Sequence, residues 1–418
     1  MPRIQALMLR RHSLPLLLSP RLRAEDFLPL NTLAAAASPE DKIAKPALAQ
    51  IKAHWRPAYA PMLLETASLL NRDPITRDRL LHFLDQQTRQ RFFTNLTAWQ
   101  RYLWSLPYEP HPEYDRFKGM LYALLDPRMQ DFFPPSRTTP SRIRLDQVQW
   151  GGVRVNGIPP LNQPAMLPAR DADYLKDSHT VFGININGDA RAYPKRILAW
   201  HEMANDTVGG QSGGGQNICL VYCTLCGTVI PYFAGEHQFG TSGLLYESSK
   251  LMFDAATKSL WSTLQGQPVI GPLANSGIQL RFANVVTTTW KEWREAHPHT
   301  TVLSLETGHR RDYGEGVAYR NYFANDELMF EVSRPDRRLR NKEEILAIRL
   351  PKARPLALAI KHLRKHPELR LEHDGHRIEI TTTPAGAHRV LVDGAPYPAH
   401  RAFWFGWITQ FPDTVLIR

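Results

Sequence analysis

The sequence has few cysteines and no long apolar run. Three cysteines in 418 residues cannot form the disulfide framework of a small secreted domain. Without a stretch of about 20 apolar residues, no membrane-spanning helix is expected. The zinc-protease pattern H-E-x-x-H is absent, because Asn205 stands where the second histidine would follow His201. The glycine-rich run Gly209–Gly215 lacks the G-K-[ST] and G-x-G-x-x-G patterns that cradle phosphates.

The composition is that of a globular protein with a basic charge balance. Hydrophobic residues make up 43% of the chain and charged residues 22%, which does not favour disorder. The net charge is +11, but lysine and arginine are spread along the chain. The densest basic run, Arg334–Lys342, has no interleaved aromatic residues. We therefore expect no nucleic-acid partner.

The first 133 residues divide into an N-terminal segment and a helical region. Residues 1–39 hold arginines before the short apolar run Leu14–Leu18, so this segment reads as a divergent export signal or a disordered tail. Residues 40–133 are predicted to form a helical domain that can dock a protein partner. Apolar and aromatic positions there recur every three or four residues, at Leu81, Leu84, Phe92, Leu96, Trp99 and Leu103, with Thr88 in the same series. Three prolines in residues 134–142 predict a linker.

Residues 143–418 are predicted to form a β-rich domain. Val181–Ile186 alternates like a strand and runs into Asn187-Gly188, a strong hairpin signal. The stretch Val181–Leu198 has the same strand, turn and amphipathic pattern as Glu344–Lys361. The predicted fold class is therefore α+β: a helical N-terminal domain followed by a β-rich domain with two related β–turn–helix–β units.

The cysteines are concentrated in one short stretch, at positions 219, 223 and 226. On the strand Ile218–Tyr222, the side chains of Cys219 and Cys223 would lie roughly 13 Å apart, too far to share one ion. This spacing also disfavours an iron–sulfur cluster on all three cysteines. Cys223 and Cys226 instead flank a two-residue spacer followed by Gly227, which suits a tight turn that brings both sulfurs together.

The residues around this turn leave three functions open. The first is a Zn²⁺ or Cu⁺ site built from Cys223, Cys226 and His201, with Glu202 or Asp206 as a further ligand or as a group that orients the ligands. The second is thiol redox chemistry, in which His201 activates one cysteine and the other resolves the intermediate. The third is a non-enzymatic scaffold with a structural ion.

Several longer blocks carry a family resemblance. AWHEMANDTVGG, LVYCTLCGTVI, FGTSGLLYESSKLMFD, TKSLWSTLQGQPVIGPL, TTWKEWREAHPHTTVLSLETGHRRDYG and FWFGWITQFPDT together resemble the bacterial and archaeal family called domain of unknown function 3179, over roughly residues 145 to 418. The resemblance implies no particular reaction. It implies a set of signature positions: His201, Glu202, Asn205, Asp206, Cys223, Cys226, Gly227, Ser242, Gly243, Tyr246, Trp261 and Ser262.

The family resemblance bears on the three-cysteine cluster and on the cellular compartment. Cys219 falls where the family pattern has no cysteine, which is a further argument against a three-cysteine cluster. Family members often carry export signals or membrane anchors, so the resemblance favours the cell envelope or periplasm. A cytoplasmic location follows instead if residues 1–39 contain no signal.

Overall fold

The computed structural model describes residues 24–210 and 214–418. Most of the predicted N-terminal segment and the middle of the glycine-rich run therefore lie outside the described residues. Over the two described ranges, no helix is long and apolar enough to cross a membrane, as the sequence predicted.

Six of the eleven helices that the structure describes come before residue 130. The helices are α1 (Leu30–Ala35), α2 (Asp41–Ala53), α3 (Tyr59–Leu69), α4 (Pro74–Thr88), α5 (Leu96–Ser105), α6 (Tyr114–Ala123), α7 (Lys195–His201), α8 (Trp290–Ala296), α9 (Arg320–Phe323), α10 (Ile360–Lys365) and α11 (Trp404–Gln410). The apolar face predicted from Leu81 to Leu103 is divided between α4 and α5. Arg89 ends α4 in a left-handed conformation, and Asn95 caps α5 by accepting a hydrogen bond from the Ala98 N–H at 3.0 Å.

The strands are short and follow mainly after residue 147. The first eleven are β1 (Val148–Trp150), β2 (Leu161–Asn162), β3 (Met166–Pro168), β4 (Thr180–Ile186), β5 (Asp189–Pro194), β6 (Met203–Val208), β7 (Gln216–Cys223), β8 (Thr228–Phe233), β9 (Phe239–Tyr246), β10 (Ser249–Asp254) and β11 (Leu260–Ser262). The others are β12 (Gln267–Ile270), β13 (Val286–Thr289), β14 (Thr301–Leu303), β15 (Glu344–Ile348), β16 (Leu356–Ala359), β17 (Glu368–His373), β18 (His376–Thr382), β19 (His388–Val392), β20 (Ala395–Pro396), β21 (His400–Phe403) and β22 (Val415–Ile417).

These strands form five sheets in the described part of the chain. Sheet A has the order β1-β9-β10-β11-β12 and sheet B the order β2-β6-β7-β8. Sheet C is β13-β4-β5-β14-β3, sheet D is β21-β15-β16-β22, and sheet E is β17-β18-β19-β20. The predicted hairpin joins β4 and β5: Asn187 and Gly188 have φ of 52° and 85°, values that suit the right-handed twist of the paired strands.

The predicted fold class is wrong in both of its parts. Helices α1–α6 do not pack apart from the strands, because their apolar faces share one hydrophobic core with sheet A, from Leu33 through Trp99 to Ile270. The β-rich region has five sheets rather than two β–turn–helix–β units. After hairpin β4–β5 and helix α7, strand β6 joins sheet B, and sheet C is completed by β13, which starts 92 residues after β5 ends.

The two segments with a similar pattern, Val181–Leu198 and Glu344–Lys361, belong to sheets that have the same strand arrangement. In sheets C and D, a hairpin is flanked by one antiparallel and one parallel strand, and a tryptophan-containing helix joins those two strands. The Trp293 indole N–H of α8 donates to Thr300 Oγ1 at 2.9 Å, and Trp407 of α11 donates to Thr414 Oγ1 at the same distance. The flanking strands and the helices that join them lie outside the two similar segments, so the sequence pattern of those segments did not reveal them.

The predicted domain boundaries stay a prediction. The segment at residues 134–142 contacts sheet A directly, since the Arg142 N–H donates to the Val269 carbonyl at 2.8 Å. Docking of a protein partner on the helices likewise stays a prediction.

Candidate dithiol site

The Cys-x2-Cys sequence forms the turn between β7 and β8. Cys223 is the last residue of β7, and Thr228 pairs with it as the first residue of β8. Gly227 closes the turn with φ of 57°, a conformation that suits glycine. The Cys226 thiol lies 3.9 Å from the Cys223 carbonyl oxygen and also shares a hydrogen bond with the Cys223 sulfur, so the turn brings both sulfurs together. Both cysteines are buried and unpaired by a disulfide.

A segment from the end of the chain covers this turn. The Phe403 N–H donates to the Cys226 carbonyl at 2.7 Å, and the Phe403 ring packs against Gly227. Helix α11 then presents Gly406 to Cys226 so closely that an added Cβ would lie 2.5 Å from the Cys226 Cβ. Glycine at position 406 therefore lets the helix pack onto the thiol pair.

A buried ion pair lies beside the turn. Glu202 ends α7 in a left-handed conformation, and its carboxylate lies 3.3 Å from Lys250 Nζ of β10. Lys250 Nζ also donates to the Glu202 carbonyl at 2.8 Å. The carboxylate accepts further hydrogen bonds from Tyr319, at 3.0 Å, and from Thr224. Since the side chains of Glu202 and Lys250 are 5% and 6% exposed, each charge depends on the other for compensation.

The two thiols of the turn have opposite pKa shifts. Burial raises the pKa of Cys223, and the Glu202 charge raises it further, but a hydrogen bond from the Cys226 thiol, with smaller effects of the Lys250 charge and a hydrogen bond from the Lys250 N–H, holds it below its usual value. Burial and the neighbouring Cys223 raise the pKa of Cys226 well above its usual value. Burial raises the pKa of Cys219 to about 12. The arrangement thus favours a thiolate at Cys223 and a thiol at Cys226.

Cys223 faces a small cavity. The cavity has a volume of about 60 Å³ and is also lined by Glu202 and Lys250. Tyr319 and Met329 form part of its wall and also line a surface depression of about 550 Å³. These two side chains therefore stand between the buried sulfur and the outside.

The other predicted site residues make different contacts. His201 Nδ1 donates to the Pro159 carbonyl at 2.8 Å. Burial lowers the pKa of His201 to about 4, so the ring is neutral and its Nε2 accepts from the Tyr313 hydroxyl at 2.5 Å. Asp206 binds the Arg191 guanidinium at 2.8 and 2.9 Å and accepts from the Tyr193 hydroxyl at 2.6 Å. Neither side chain has a hydrogen bond to a cysteine among these contacts. Of the predicted site residues, the structure brings together Cys223, Cys226 and Glu202.

The ligand set for a metal is incomplete in this arrangement. In the part of the chain that the structure describes, no group of three or more His, Cys, Asp or Glu side chains is placed to hold a metal ion. The Nε2 atom of His201, which would bind the ion together with Cys223 and Cys226, is bonded to Tyr313 instead. The Zn²⁺ or Cu⁺ site stays a prediction.

Sequence reasoning missed Lys250, Tyr319 and Thr224. A signal for Lys250 was present: it is a single cation between Ser249 and the apolar run Leu251–Phe253, at a strand position that the structure buries. Such a residue is rarely buried without a partner. No comparable signal marks Tyr319, which reaches Glu202 across 117 residues of sequence.

The chain matches the model of a known protein family. The family model described as "Protein of unknown function (DUF3179)" matches residues 155–395, which is more than half of the chain. The chain belongs to this family. The resemblance predicted from the sequence is therefore confirmed, although the match to DUF3179 ends before β21 and α11. The same chain gave no match among curated proteins and none among solved structures.

The whole dithiol site except its cover lies inside the matched range. Glu202, Cys223, Cys226, Lys250 and Tyr319 all fall between residues 155 and 395. The DUF3179 description names no reaction.

Proposed function

We propose that Cys223 and Cys226 are a redox-active dithiol, in which Cys223 is the attacking thiolate and Cys226 the resolving thiol. The observation that carries this proposal is the position of Cys223: it lines a cavity with Lys250, and Cys226 lies one turn away. A cation stabilises a thiolate, and a neighbouring protonated thiol can resolve a mixed disulfide. The hydrogen bond from the Cys226 thiol, with Lys250 as a second contributor, takes the activating role that the sequence assigned to His201.

The reaction is a thiol–disulfide exchange with a disulfide substrate. The Cys223 thiolate attacks one substrate sulfur, which forms a mixed disulfide and releases the other substrate sulfur as a thiolate. Cys226 gives its proton to that thiolate and attacks Cys223 Sγ, so that the second substrate sulfur leaves as a thiolate. Two protein thiols are oxidised to one disulfide, and one substrate disulfide is reduced to a thiol and a thiolate.

The substrate must pass Tyr319 and Met329. The cavity of about 60 Å³ has no room for a disulfide-bearing molecule. The surface depression on the far side of the same two side chains, at about 550 Å³, is large enough for a short peptide loop or a small disulfide. Met329 is 55% exposed, so it can move without unpacking the core.

Alkylation followed by mass mapping tests the proposal. With iodoacetamide at pH 6, we expect Cys223 to react before Cys226 and Cys219. In glutathione buffers of graded potential, we expect the pair to form one disulfide in the wild type and in Cys219→Ser, a matched control from the same strand. Cys223→Ser and Cys226→Ser should form none. Equal slow labelling of Cys223 and Cys226, with no disulfide at any potential, would contradict the proposal.

The metal site is the second candidate, supported by two adjacent buried sulfurs that suit a soft ion. Metal analysis of the same untagged samples separates the two. About one equivalent of zinc or copper in the wild type, lost in both Cys223→Ser and Cys226→Ser, would replace the redox role with a metal-binding role.

A further inference from the structure

A larger cavity lies where the helices meet the edge of sheet A. Its volume is about 250 Å³, and it lies between α3, α5 and strand β1. Trp104, Trp150 and Phe330 contribute aromatic walls, with leucines of α3 and α5 between them. The volume is just below the range of about 300–1,000 Å³ that is usual for ligand pockets, so it suits a molecule of one or two rings.

The ionised groups at this cavity are already compensated. Glu65 accepts hydrogen bonds from Lys118 and from the hydroxyls of Tyr114, at 2.8 Å, and Tyr122. Lys118 is fully buried and is not part of the cavity lining. Asp146 is held by both arms of Arg144, at 3.0 and 2.8 Å.

The charge arrangement disfavours ionised ligands. An anion would face the carboxylates of Glu65 and Asp146, while their cations Lys118 and Arg144 lie behind the lining. A cation would find the oxygens of both carboxylates already bonded. The cavity therefore favours an uncharged molecule.

A buried hydrogen-bond donor of the cavity lining lacks a partner among the described residues. Gln149 lines the cavity; its Oε1 accepts from Gln100 Nε2 at 3.1 Å, but its Nε2 is buried with no partner among the described residues. A buried amide N–H without an acceptor is costly, and a ligand acceptor would remove that cost. The indole N–H groups are already used, by the Asp146 carbonyl at 3.0 Å and the Val153 carbonyl at 2.8 Å. The tryptophans therefore offer ring surface alone.

We propose that this cavity binds a small, uncharged, aromatic molecule with a carbonyl-type acceptor, which receives a hydrogen bond from Gln149 Nε2. The rings stack against Trp104 and Trp150, and the acceptor points to Gln149. The proposal goes beyond the dithiol function and does not depend on it, because neither Cys223 nor Cys226 lines this cavity.

Four one-ring probes test the proposal on the full chain by ligand-observed nuclear magnetic resonance titration. They are acetophenone, ethylbenzene without an acceptor, benzoate as the anion and benzamidine as the cation. We expect acetophenone to bind about five-fold more tightly than ethylbenzene, since one hydrogen bond distinguishes them. Tightest binding of benzoate or benzamidine, or no binding of any probe, would overturn the proposal.

Variants locate the binding. Gln149→Leu should reduce acetophenone binding to the level of ethylbenzene, and Gln238→Leu, an exposed glutamine elsewhere, should bind like the wild type. Leu69→Trp, at a half-buried lining position, should fill the cavity and abolish binding of both probes even if Gln149→Leu does not fold. Cys223→Ser should bind like the wild type. Unchanged acetophenone binding in Gln149→Leu and Leu69→Trp would contradict the proposal.

Discussion

Replacement of Lys250 by methionine should destabilise the protein strongly, because it leaves the buried Glu202 carboxylate without its cation. The two side chains are 6% and 5% exposed, and their charged atoms lie 3.3 Å apart. Removal of one partner of a buried ion pair costs about 3–5 kcal/mol. The Glu202 carboxylate keeps the Thr224 and Tyr319 hydroxyls as hydrogen-bond donors, so we expect a cost at the lower end of this range. The lost hydrogen bond from Lys250 to the Glu202 carbonyl adds about 1 kcal/mol.

The expected loss is therefore about 4 kcal/mol in the free energy of unfolding. Urea unfolding, followed by tryptophan fluorescence, measures it as a shift of the midpoint at a constant slope. The double variant Glu202→Gln with Lys250→Met carries no unpaired charge, so it should recover at least about 2 kcal/mol relative to Lys250→Met. Lys250→Met should also slow alkylation of Cys223 at pH 6, because the thiolate loses its neighbouring cation.

Two results would contradict the prediction for Lys250→Met. A loss below about 1 kcal/mol for Lys250→Met would mean that the pair is solvated and behaves like a surface ion pair. A double variant as unstable as the sum of the two single variants would mean that Glu202 and Lys250 contribute independently. Lys291→Met is a suitable control, since Lys291 is 3.9 Å from Glu295 in an exposed pair and its loss should change stability by less than about 1 kcal/mol.

Two further substitutions test packing and pH dependence. Gly406→Ala should lower the free energy of unfolding by about 1–2 kcal/mol in urea. The added Cβ would lie 2.5 Å from the Cys226 Cβ, and this clash outweighs the gain in helix propensity of about 1 kcal/mol. Equal or higher stability would contradict this prediction. Burial lowers the pKa of His400 to about 3, so its contribution to stability is complete above the unfolded pKa of about 6.5 and is lost as pH falls towards 3. His400→Phe should remove up to about 1.4 kcal/mol per pH unit from the stability slope between pH 6.5 and 4; an unchanged slope would count against it.

Features set by neighbouring residues could be predicted from the sequence. The Asn187-Gly188 hairpin and the Cys223–Cys226 turn depend on local backbone preferences, and both lie where they were expected. The family was also recognisable, because its blocks are continuous in sequence. The position of Cys223 and Cys226 next to each other therefore needed no tertiary information.

The partners of the dithiol could not be predicted in this way. Lys250 and Tyr319 reach Glu202 from elements 48 and 117 residues away, and nothing in the local pattern of α7 selects them. His201 was chosen because it lies close to the cysteines in sequence. Glu202 adopts a left-handed conformation at the end of α7, and the side chains of His201 and Glu202 reach different partners: His201 bonds to Tyr313 and Glu202 to Lys250. The fold class failed for a related reason, since sheets C and D are completed by strands far along the chain.

The cover over the dithiol has a consequence for how the protein is made. Cys226 precedes Trp404, the first residue of α11, by 178 residues. At about 5–20 residues per second, a ribosome adds those residues in roughly 9–36 s. During that interval the turn between β7 and β8 has been synthesised while the helix that buries it has not. The nascent thiols therefore meet the redox poise and the metals of the compartment of synthesis before the folded protein closes over them.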